Sequence, residues 1–201
     1  MIQPLLIVNL ENIDLMHKYF IIASGGSLTQ EDVNYIKGKG TVIVINNVFK
    51  LAPFADILYA CDVCWWVAYK DDLKDWKGRK MSIFHDKDGC EKQKFNTQLN
   101  GLGEDCIHTG GNSGYQAINL AYLLGAKEII LLGYDMKVTD GLRHFHGQHK
   151  RGLGNNDNYQ GWINHMNILA NALKEKGIKV INCTRSTALE CFDKQDLEKV
   201  C

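Results

Sequence analysis

Three histidines lie within six residues of one another, at His144, His146 and His149. An imidazole titrates near neutral pH, so we consider each of the three a candidate catalytic base. Together with Asp135 or Asp140, the three imidazoles could also bind a divalent metal ion, although H-x-H-x-x-H is not by itself a recognised zinc spacing. Three of the seven histidines of the chain fall in this segment, which favours a functional loop over a solvated loop that is rich in histidine by chance.

Two glycine-rich segments precede predicted helices, Ser-Gly-Gly-Ser at 24–27 and Thr-Gly-Gly-Asn-Ser-Gly at 109–114. Glycine lets the backbone approach a ligand, and a helix amino terminus presents N–H groups to an anion. The first segment is not the G-x-G-x-x-G of dinucleotide sites, and a plain turn capped by serine is an equally good interpretation of it. The residues of these segments that we predict to bind a nucleotide are Ser24, Gly25, Gly26, Ser27, Asn112, Ser113 and Gly114.

Single polar residues follow three further apolar runs of the sequence. Asn46 and Asn47 follow one run, Asp62 follows the next, and Asp135 comes after a later one. Each residue alone is a common turn former. If the runs are neighbouring parallel strands, these side chains meet at one sheet edge, where they could donate or accept hydrogen bonds to a ligand. Asp135 could bind a ribose hydroxyl, coordinate a metal ion or cap a turn.

Five short apolar runs predict the strands of a parallel sheet, because continuous rather than alternating hydrophobicity is typical of strands buried on both faces. They lie at residues 19–24, 41–46, 56–60, 128–132 and 178–182. Helices are predicted at 28–37, with Ser27 and Gln30 as a capping box, at 114–124 and at 161–176. The repeated order predicts a doubly wound, mostly parallel α/β sheet with helices on both faces. Such sheets bind ligands at the carboxyl ends of their strands, where the strand order reverses.

The length of 201 residues fits a single domain. Residues 70–105 are polar and charged, and we predict an insertion or lid there, with a short hairpin around residues 81–84. Residues 136–160 form a long histidine-rich loop without a periodic pattern, and loops of this length in compact domains are usually functional or mobile.

Charge and cysteine content limit the function classes. The 23 basic and 23 acidic residues balance, so we expect neither nucleic-acid nor membrane binding. No apolar run approaches the length of a membrane span, and the first residues lack the basic stretch of a secretory signal.

Seven cysteines without framework spacing predict free thiols and a cytoplasmic location. We interpret Cys61 and Cys64 as small buried residues rather than as a redox pair or half of a zinc site. Trp65 and Trp66 could stack on a sugar or base, although core packing is the commoner role of a pair of tryptophans. The oligomeric state is left open.

Four segments carry a family resemblance: IIASGGSL, VINN, GGNSGYQAINLAYLLGAKEIILLGYDM and VINCTRSTALECF. The chain resembles bacterial sialyltransferases of glycosyltransferase family 42, the related domain of flagellin-glycosylation accessory proteins, and an archaeal hydroxymethylpterin diphosphokinase. It is most similar to a family of small proteins of tailed phages, which would place it in the cytoplasm of a bacterial host. The resemblance spans about residues 19–192, and its most specific part runs from Asn112 to Asp135.

The resemblance implies a Rossmann-like sheet that binds a cytidine monophosphate sugar without metal. Residues 24–27 would approach the nucleotide and its phosphate, and Asn46 and Asp62 would contact the donor. Ser113 and Gly114 match the nucleotide-binding Ser-Gly of the family, and Asp135 matches its aspartate.

Two departures from the family pattern concern the reaction. Where the family has two phosphate-binding tyrosines, this chain has Lys137 and a residue near Arg143, and by charge Lys137 and Arg143 are plausible phosphate partners. The catalytic histidine of the family, just before the last long helix, is missing here. Either the base has moved to His144, His146 or His149, or the protein catalyses a different reaction.

Three functions follow from these patterns. The favoured one is nucleotide-dependent group transfer by a glycosyltransferase-like enzyme with a nucleotide-sugar donor, of CMP type by the resemblance. The second is a diphosphokinase-like phosphotransfer in which Asp62, Asp135 and the histidines bind a divalent cation. The third is non-catalytic binding of a nucleotide or sugar phosphate. The acceptor and any metal requirement are not indicated.

Overall fold

The computed structural model describes residues 17–147, 149–150, 153 and 158–201. Its strands are β1 (Lys18–Ile22), β2 (Thr41–Ile45), β3 (Ile57–Tyr59), β4 (Arg79–Ser82), β5 (Cys90–Lys92), β6 (Phe95–Asn96), β7 (Ile107–His108), β8 (Glu128–Leu132), β9 (Lys179–Asn182) and β10 (Asp193–Lys194). Its helices are α1 (Gln30–Tyr35), α2 (Val63–Tyr69), α3 (Ser113–Leu123), α4 (Tyr159–Glu175) and α5 (Leu197–Val200), with 3₁₀ turns at Asn46–Lys50 and Asp71–Leu73.

Eight strands form one sheet in the order β10-β9-β8-β1-β2-β3-β4-β5, and every neighbouring pair is parallel. The predicted doubly wound parallel α/β sheet is therefore confirmed, and the fold is Rossmann-like. β1 is central: its Ile21 pairs with Ile43 of β2 on one side and with Leu131 of β8 on the other. The chain runs outward from β1 to β5 and returns to β8, so the strand order reverses between β1 and β8.

Helices cover both faces of the sheet, as predicted. Successive side chains of a strand point to opposite faces, so Ile21 packs in the cluster that contains α3 and α4, while Phe20 and Ile22 pack in the cluster that contains α1, α2 and α5. The predicted apolar stripe of α4 buries Met166, Leu169 and Leu173 completely, with Trp162 only partly buried. Of the helices described, none has the length and apolar character that a membrane span requires.

The predicted capping box of Ser27 and Gln30 is wrong. Helix α1 begins at Gln30, and its cap is Thr29, whose hydroxyl accepts from the Asp32 amide at 3.2 Å. The reason is that the Ser27 hydroxyl instead donates to Asp135 at 2.7 Å and is not available to α1.

The predicted hairpin around residues 81–84 is also wrong. β4 pairs in parallel with β3 and with β5, in a register that places Met81 beside Glu91. A hairpin needs antiparallel strands, whereas here β4 and β5 extend the main sheet in parallel, with the Met81 side chain buried. Residues 70–105 thus contribute two strands to the main sheet, and β6 pairs with β7 in a separate small sheet.

The two adjacent tryptophans are part of the core. Trp65 and Trp66 are only 3% and 4% exposed. The indole of Trp65 donates to Asn47 Oδ1 at 2.8 Å, and that of Trp66 donates to the Ala60 carbonyl at 3.0 Å. Asn47 is itself buried and also donates to the Tyr69 hydroxyl at 2.9 Å, so it stabilises the fold rather than facing a ligand.

Candidate functional site

A cavity of about 480 Å³ lies at the carboxyl ends of β1, β2, β3 and β8, where the strand order reverses. This volume is within the range of small-molecule sites. The predicted site residues on its wall are Ser24, Gly25, Asn46, Asp62, Asn112, Ser113, Gly114, Asp135, Lys137, Arg143, His144 and His149. The predicted site residues away from its wall are Gly26, Ser27 and His146.

Two glycines allow the loops that follow β1 and β8 to touch at the floor of the cavity. The Gly25 amide donates to the Gly133 carbonyl at 2.8 Å. A Cβ on Gly25 would lie 2.1 Å from Asp135 Oδ1, and a Cβ on Gly133, whose φ is +68°, would lie 2.2 Å from the Ala23 carbonyl oxygen. The absence of a side chain at Gly25 therefore leaves room for the Asp135 carboxylate, and it also keeps the cavity open.

Asp135 joins the same two loops through its side chain. It is 2% exposed and accepts from the Ser27 amide at 2.8 Å, from the Ser27 hydroxyl at 2.7 Å and from the Thr139 hydroxyl at 2.6 Å. Because both carboxylate oxygens already accept hydrogen bonds from this chain, the geometry makes Asp135 a positioning residue rather than a metal or ribose ligand. Gly26 is likewise covered, since a Cβ there would lie 2.7 Å from the Leu142 carbonyl oxygen.

Replacing Asp135 with asparagine should lower the free energy of unfolding by about 2 kcal/mol, because an amide NH₂ would then face the Ser27 or Thr139 donors. Urea denaturation measures this loss. The matched control is Asp140→Asn, at an exposed position with a φ of +50°, which asparagine tolerates. An equal loss in both variants would show that Asp135 does not join the two loops.

The amino terminus of α3 forms another part of the wall. Asn112 caps the helix, with its Oδ1 accepting from the Tyr115 amide at 2.9 Å. This bond fixes the orientation of the amide, so the remaining group is Nδ2, a buried donor that has no hydrogen-bond partner among the described residues. The Nδ2 group, Ser113 and Gly114 together form a part of the wall that is suited to bind an anion, and the dipole of α3 favours a negative charge there.

Polar groups after β2 and β3 approach the cavity from the other side of β1. Asn46 has a φ of +51°, and its buried Oδ1 lacks a hydrogen-bond partner in the part of the chain that is described. Burial raises the pKa of Asp62 above its ordinary value. Met136, after β8, also has a positive φ, of +49°. Such backbone conformations in residues other than glycine cluster at functional sites.

The histidine loop is attached to the site through Ser24. The Ser24 carbonyl accepts from the Phe145 amide at 3.0 Å, and the Ser24 hydroxyl lies 3.0 Å from His144 Nδ1. Gly147, with a φ of +73°, turns the chain back so that the His149 ring lies 4.7 Å from the His144 ring, centroid to centroid.

The third histidine ring lies beside the other two. The rings of His144 and His146 stack at 5.1 Å, and the His146 and His149 centroids are 4.9 Å apart. Burial, and then the charge of His144, lower the pKa of His146 to about 4 and also lower that of His149. His146 and His149 are therefore neutral at physiological pH, and His144 and His149 face the cavity.

Sequence reasoning missed several wall residues, among them Cys64, Met136, Tyr159 and Trp162. Tyr159 and Trp162 lie three residues apart at the start of α4, and this spacing was the only available signal. Thr139, which binds Asp135, was missed as well.

We compared the chain with family models, curated proteins and solved structures. None matches it. The resemblance to sialyltransferases therefore stays a prediction, and the function has to be inferred from the geometry of the cavity.

The two cysteines of the C-x-x-C differ in environment, so the prediction that both are buried is wrong for Cys64. Cys64 lies in the first turn of α2 and is exposed, whereas Cys61 is half-buried; both are free thiols. Burial, and then the charge of Asp62, raise the pKa of Cys61 to about 12. A nucleophilic redox cysteine would need a lowered pKa.

Iodoacetamide at pH 8 should therefore label Cys64 at least about 100-fold faster than Cys61, because so little Cys61 is thiolate. Peptide mapping by mass spectrometry gives both rates. Protein unfolded in urea is the control and should label at both positions alike. Fast labelling of Cys61 in the folded protein would instead support a redox pair.

Proposed function

We propose that this cavity binds a nucleotide or nucleotide sugar and that the protein is a glycosyltransferase-like group-transfer enzyme. The observation that carries the proposal is the buried Nδ2 of Asn112, which lacks a partner among the described residues at the amino end of α3. An unsatisfied buried donor costs about 1–3 kcal/mol, which an anionic ligand oxygen would recover. It lies where open parallel sheets bind ligands.

The charges on the wall support a phosphate-containing ligand. Lys137 and Arg143, which follow β8, add two cationic side chains to the α3 terminus. On the other side of β1, Asn46 Oδ1 offers an acceptor to a sugar hydroxyl or a base amino group, and Asp62 offers a carboxyl group. A ligand that is anionic at one end and rich in donors at the other matches this arrangement, and a nucleotide sugar has both properties.

In the proposed reaction, an acceptor hydroxyl attacks the anomeric carbon of the donor sugar. The bond from that carbon to the phosphate oxygen breaks, and the electron pair stays on the nucleotide phosphate. The α3 terminus and Lys137 stabilise this charge. His144 and His149 line the cavity, and the carboxylate of Asp62 on the same wall, whose pKa burial raises, can accept the acceptor's proton.

Metal-dependent phosphotransfer is a second candidate, favoured by the cluster of three imidazoles. The version that relies on Asp135 as a ligand is not supported, because Ser27 and Thr139 already occupy its oxygens. Binding without catalysis has no structural feature in its favour, and the test below distinguishes it.

Cys64 provides a reporter for the test, because it is exposed and lies on the cavity wall. We would measure its alkylation rate with CMP, UMP, UDP, GDP, ATP and their sugar conjugates. A bound ligand at 100 times its Kd should slow labelling of Cys64 up to about 100-fold and stabilise the fold by about 2.7 kcal/mol. Cys201 is exposed, lies away from the wall, and is the internal control.

The outcomes separate the candidates. Protection by a pyrimidine nucleotide, with release of nucleotide from its sugar conjugate when acceptors are supplied, supports the proposed transfer. Protection only by ATP with a divalent ion supports phosphotransfer, and protection by a conjugate recovered unchanged supports binding alone. If no nucleotide protects Cys64 or raises the Tm, the proposal is wrong.

A further inference from the structure

The histidine cluster, defined as His144, His146 and His149, has the geometry of a metal site. One ring nitrogen from each residue lies within 4.8 Å of the other two. Three nitrogens bound to one zinc ion at about 2.0–2.1 Å in tetrahedral geometry lie roughly 3.3–3.5 Å apart. The rings would therefore have to converge by no more than about 1.5 Å, which side-chain rotation in a loop can supply.

In the described part of the chain, three ring nitrogens of His146 and His149 lack the hydrogen bonds that buried imidazoles normally make. Both ring nitrogens of His146 and Nδ1 of His149 are buried without a hydrogen-bond partner among the residues described. A neutral imidazole has one donor and one acceptor, and leaving both unsatisfied is unfavourable. Neutral imidazole is the form that binds metal. A metal ion would bind one nitrogen of each ring.

The surroundings of His144 are those of a metal-binding histidine whose other ring nitrogen is held by a hydrogen bond to a neighbouring residue. Its Nδ1 lies 3.0 Å from the Ser24 hydroxyl. With the proton on Nδ1 and donated to Ser24, Nε2 is the nitrogen that would bind a metal, and metal-binding histidines are usually held in this way. The bond from the Phe145 amide to the Ser24 carbonyl, at 3.0 Å, holds the loop at the end of β1.

We propose that His144, His146 and His149 bind a divalent transition-metal ion of the zinc class, with one coordination position open to the cavity. Three imidazoles favour zinc, cobalt or nickel over magnesium, which prefers oxygen ligands. Asp135 is not the fourth ligand, because its oxygens accept from Ser27 and Thr139. His144 and His149 line the cavity, so the open position receives an anionic oxygen of the bound ligand. This last step rests on the proposed function, whereas metal binding does not.

The direct test uses the metal alone. Titration of metal-stripped protein with Zn²⁺ against a chromophoric chelator should give one equivalent bound with a Kd of about 1 μM or tighter, and Co²⁺ should give the visible absorption of a four-coordinate site. His146→Gln and His149→Gln should each weaken binding at least about 100-fold, and Ser24→Ala about 10-fold. His108→Gln, in β7, is the control and should bind as the wild type does.

Two results would overturn the metal site: no binding to the wild-type protein by 100 μM Zn²⁺ or Co²⁺, or binding that His146→Gln and His149→Gln leave unchanged. The wild-type measurement decides even if a variant fails to fold. A variant that folds, as judged by circular dichroism, and loses the cobalt spectrum supports the site.

Nucleotide titrations distinguish failure of the metal site from failure of the proposed function. If the ligand occupies the open position, zinc and nucleotide should each tighten the binding of the other by the same factor, about 10-fold or more. Nucleotide binding that is identical with and without zinc would overturn the open coordination position. Zinc binding without any nucleotide binding would leave the metal site in place and refute the proposed function.

Discussion

Replacing Gly133 with alanine should lower the free energy of unfolding by about 4 kcal/mol. The added Cβ would lie 2.2 Å from the Ala23 carbonyl oxygen, at a φ of +68°. The left-handed conformation alone costs about 1–2 kcal/mol, and overpacking against backbone adds about 1–3 kcal/mol. Neither loop can move aside without losing the 2.8 Å bond from the Gly25 amide to Gly133. Urea denaturation followed by circular dichroism measures the change.

Gly125→Ala is the matched control, because Gly125 follows α3 with a φ of +93°, and no atom of the described residues lies within 4 Å of its added Cβ. This variant has the strain of a left-handed backbone conformation without a steric overlap of the added Cβ. We therefore expect its free energy of unfolding to fall by only about 1–2 kcal/mol. The difference between the variants measures how tightly the loops after β1 and β8 pack. Equal losses in the two variants would mean that the loops can separate, and that the cavity floor is not fixed by this packing.

Asn112→Asp should weaken nucleotide binding about 100-fold and leave stability within about 0.5 kcal/mol of the wild type. Aspartate keeps the oxygen that caps the Tyr115 amide and is at least as good an amino-terminal cap. It replaces the buried Nδ2 donor with a negative oxygen, at the place where the proposal puts an anionic phosphate. Isothermal titration with the nucleotide that best protects Cys64 gives the affinity.

Asn167→Asp is the control for the change in charge. Asn167 is exposed on α4, eight residues or about 12 Å beyond the start of that helix. We expect the affinity of this variant to match the wild type. If Asn112→Asp binds nucleotide as the wild type does, the phosphate does not lie at the α3 terminus. The Nδ2 of Asn112, which has no partner among the described residues, would then no longer support the proposed function.

The sheet could be predicted because its central strands are continuous apolar runs. β1, β2 and β8 are almost entirely buried, so hydrophobicity alone identifies them to within one or two residues. β5 at the edge of the sheet and β4 beside it could not be predicted in this way, because both carry charged side chains. The Arg79 guanidinium, for example, pairs with the Glu91 carboxylate at 2.6 Å on the surface.

The positions of the site residues could be predicted from topology, but their partners could not. Residues after parallel strands share an edge, and this placed Asn46, Asp62 and Ser24 on the wall correctly. The bonds of Asp135 join residues 108 positions apart in the chain, and no local pattern encodes such a contact. The same holds for Ser24 and His144, which lie 120 positions apart.

The central place of β1 in the sheet has a consequence for how the protein is synthesised. β1 pairs with β8, about 110 residues later in the chain, through the register from Lys18 with Glu128 to Ile22 with Leu132. During translation, the edge of β1 that will receive β8 therefore lacks its partner until more than half of the chain has been made. An apolar strand with an unpaired edge can pair with the wrong strand or with another chain. Folding yield should therefore depend on how long the ribosome takes to deliver β8.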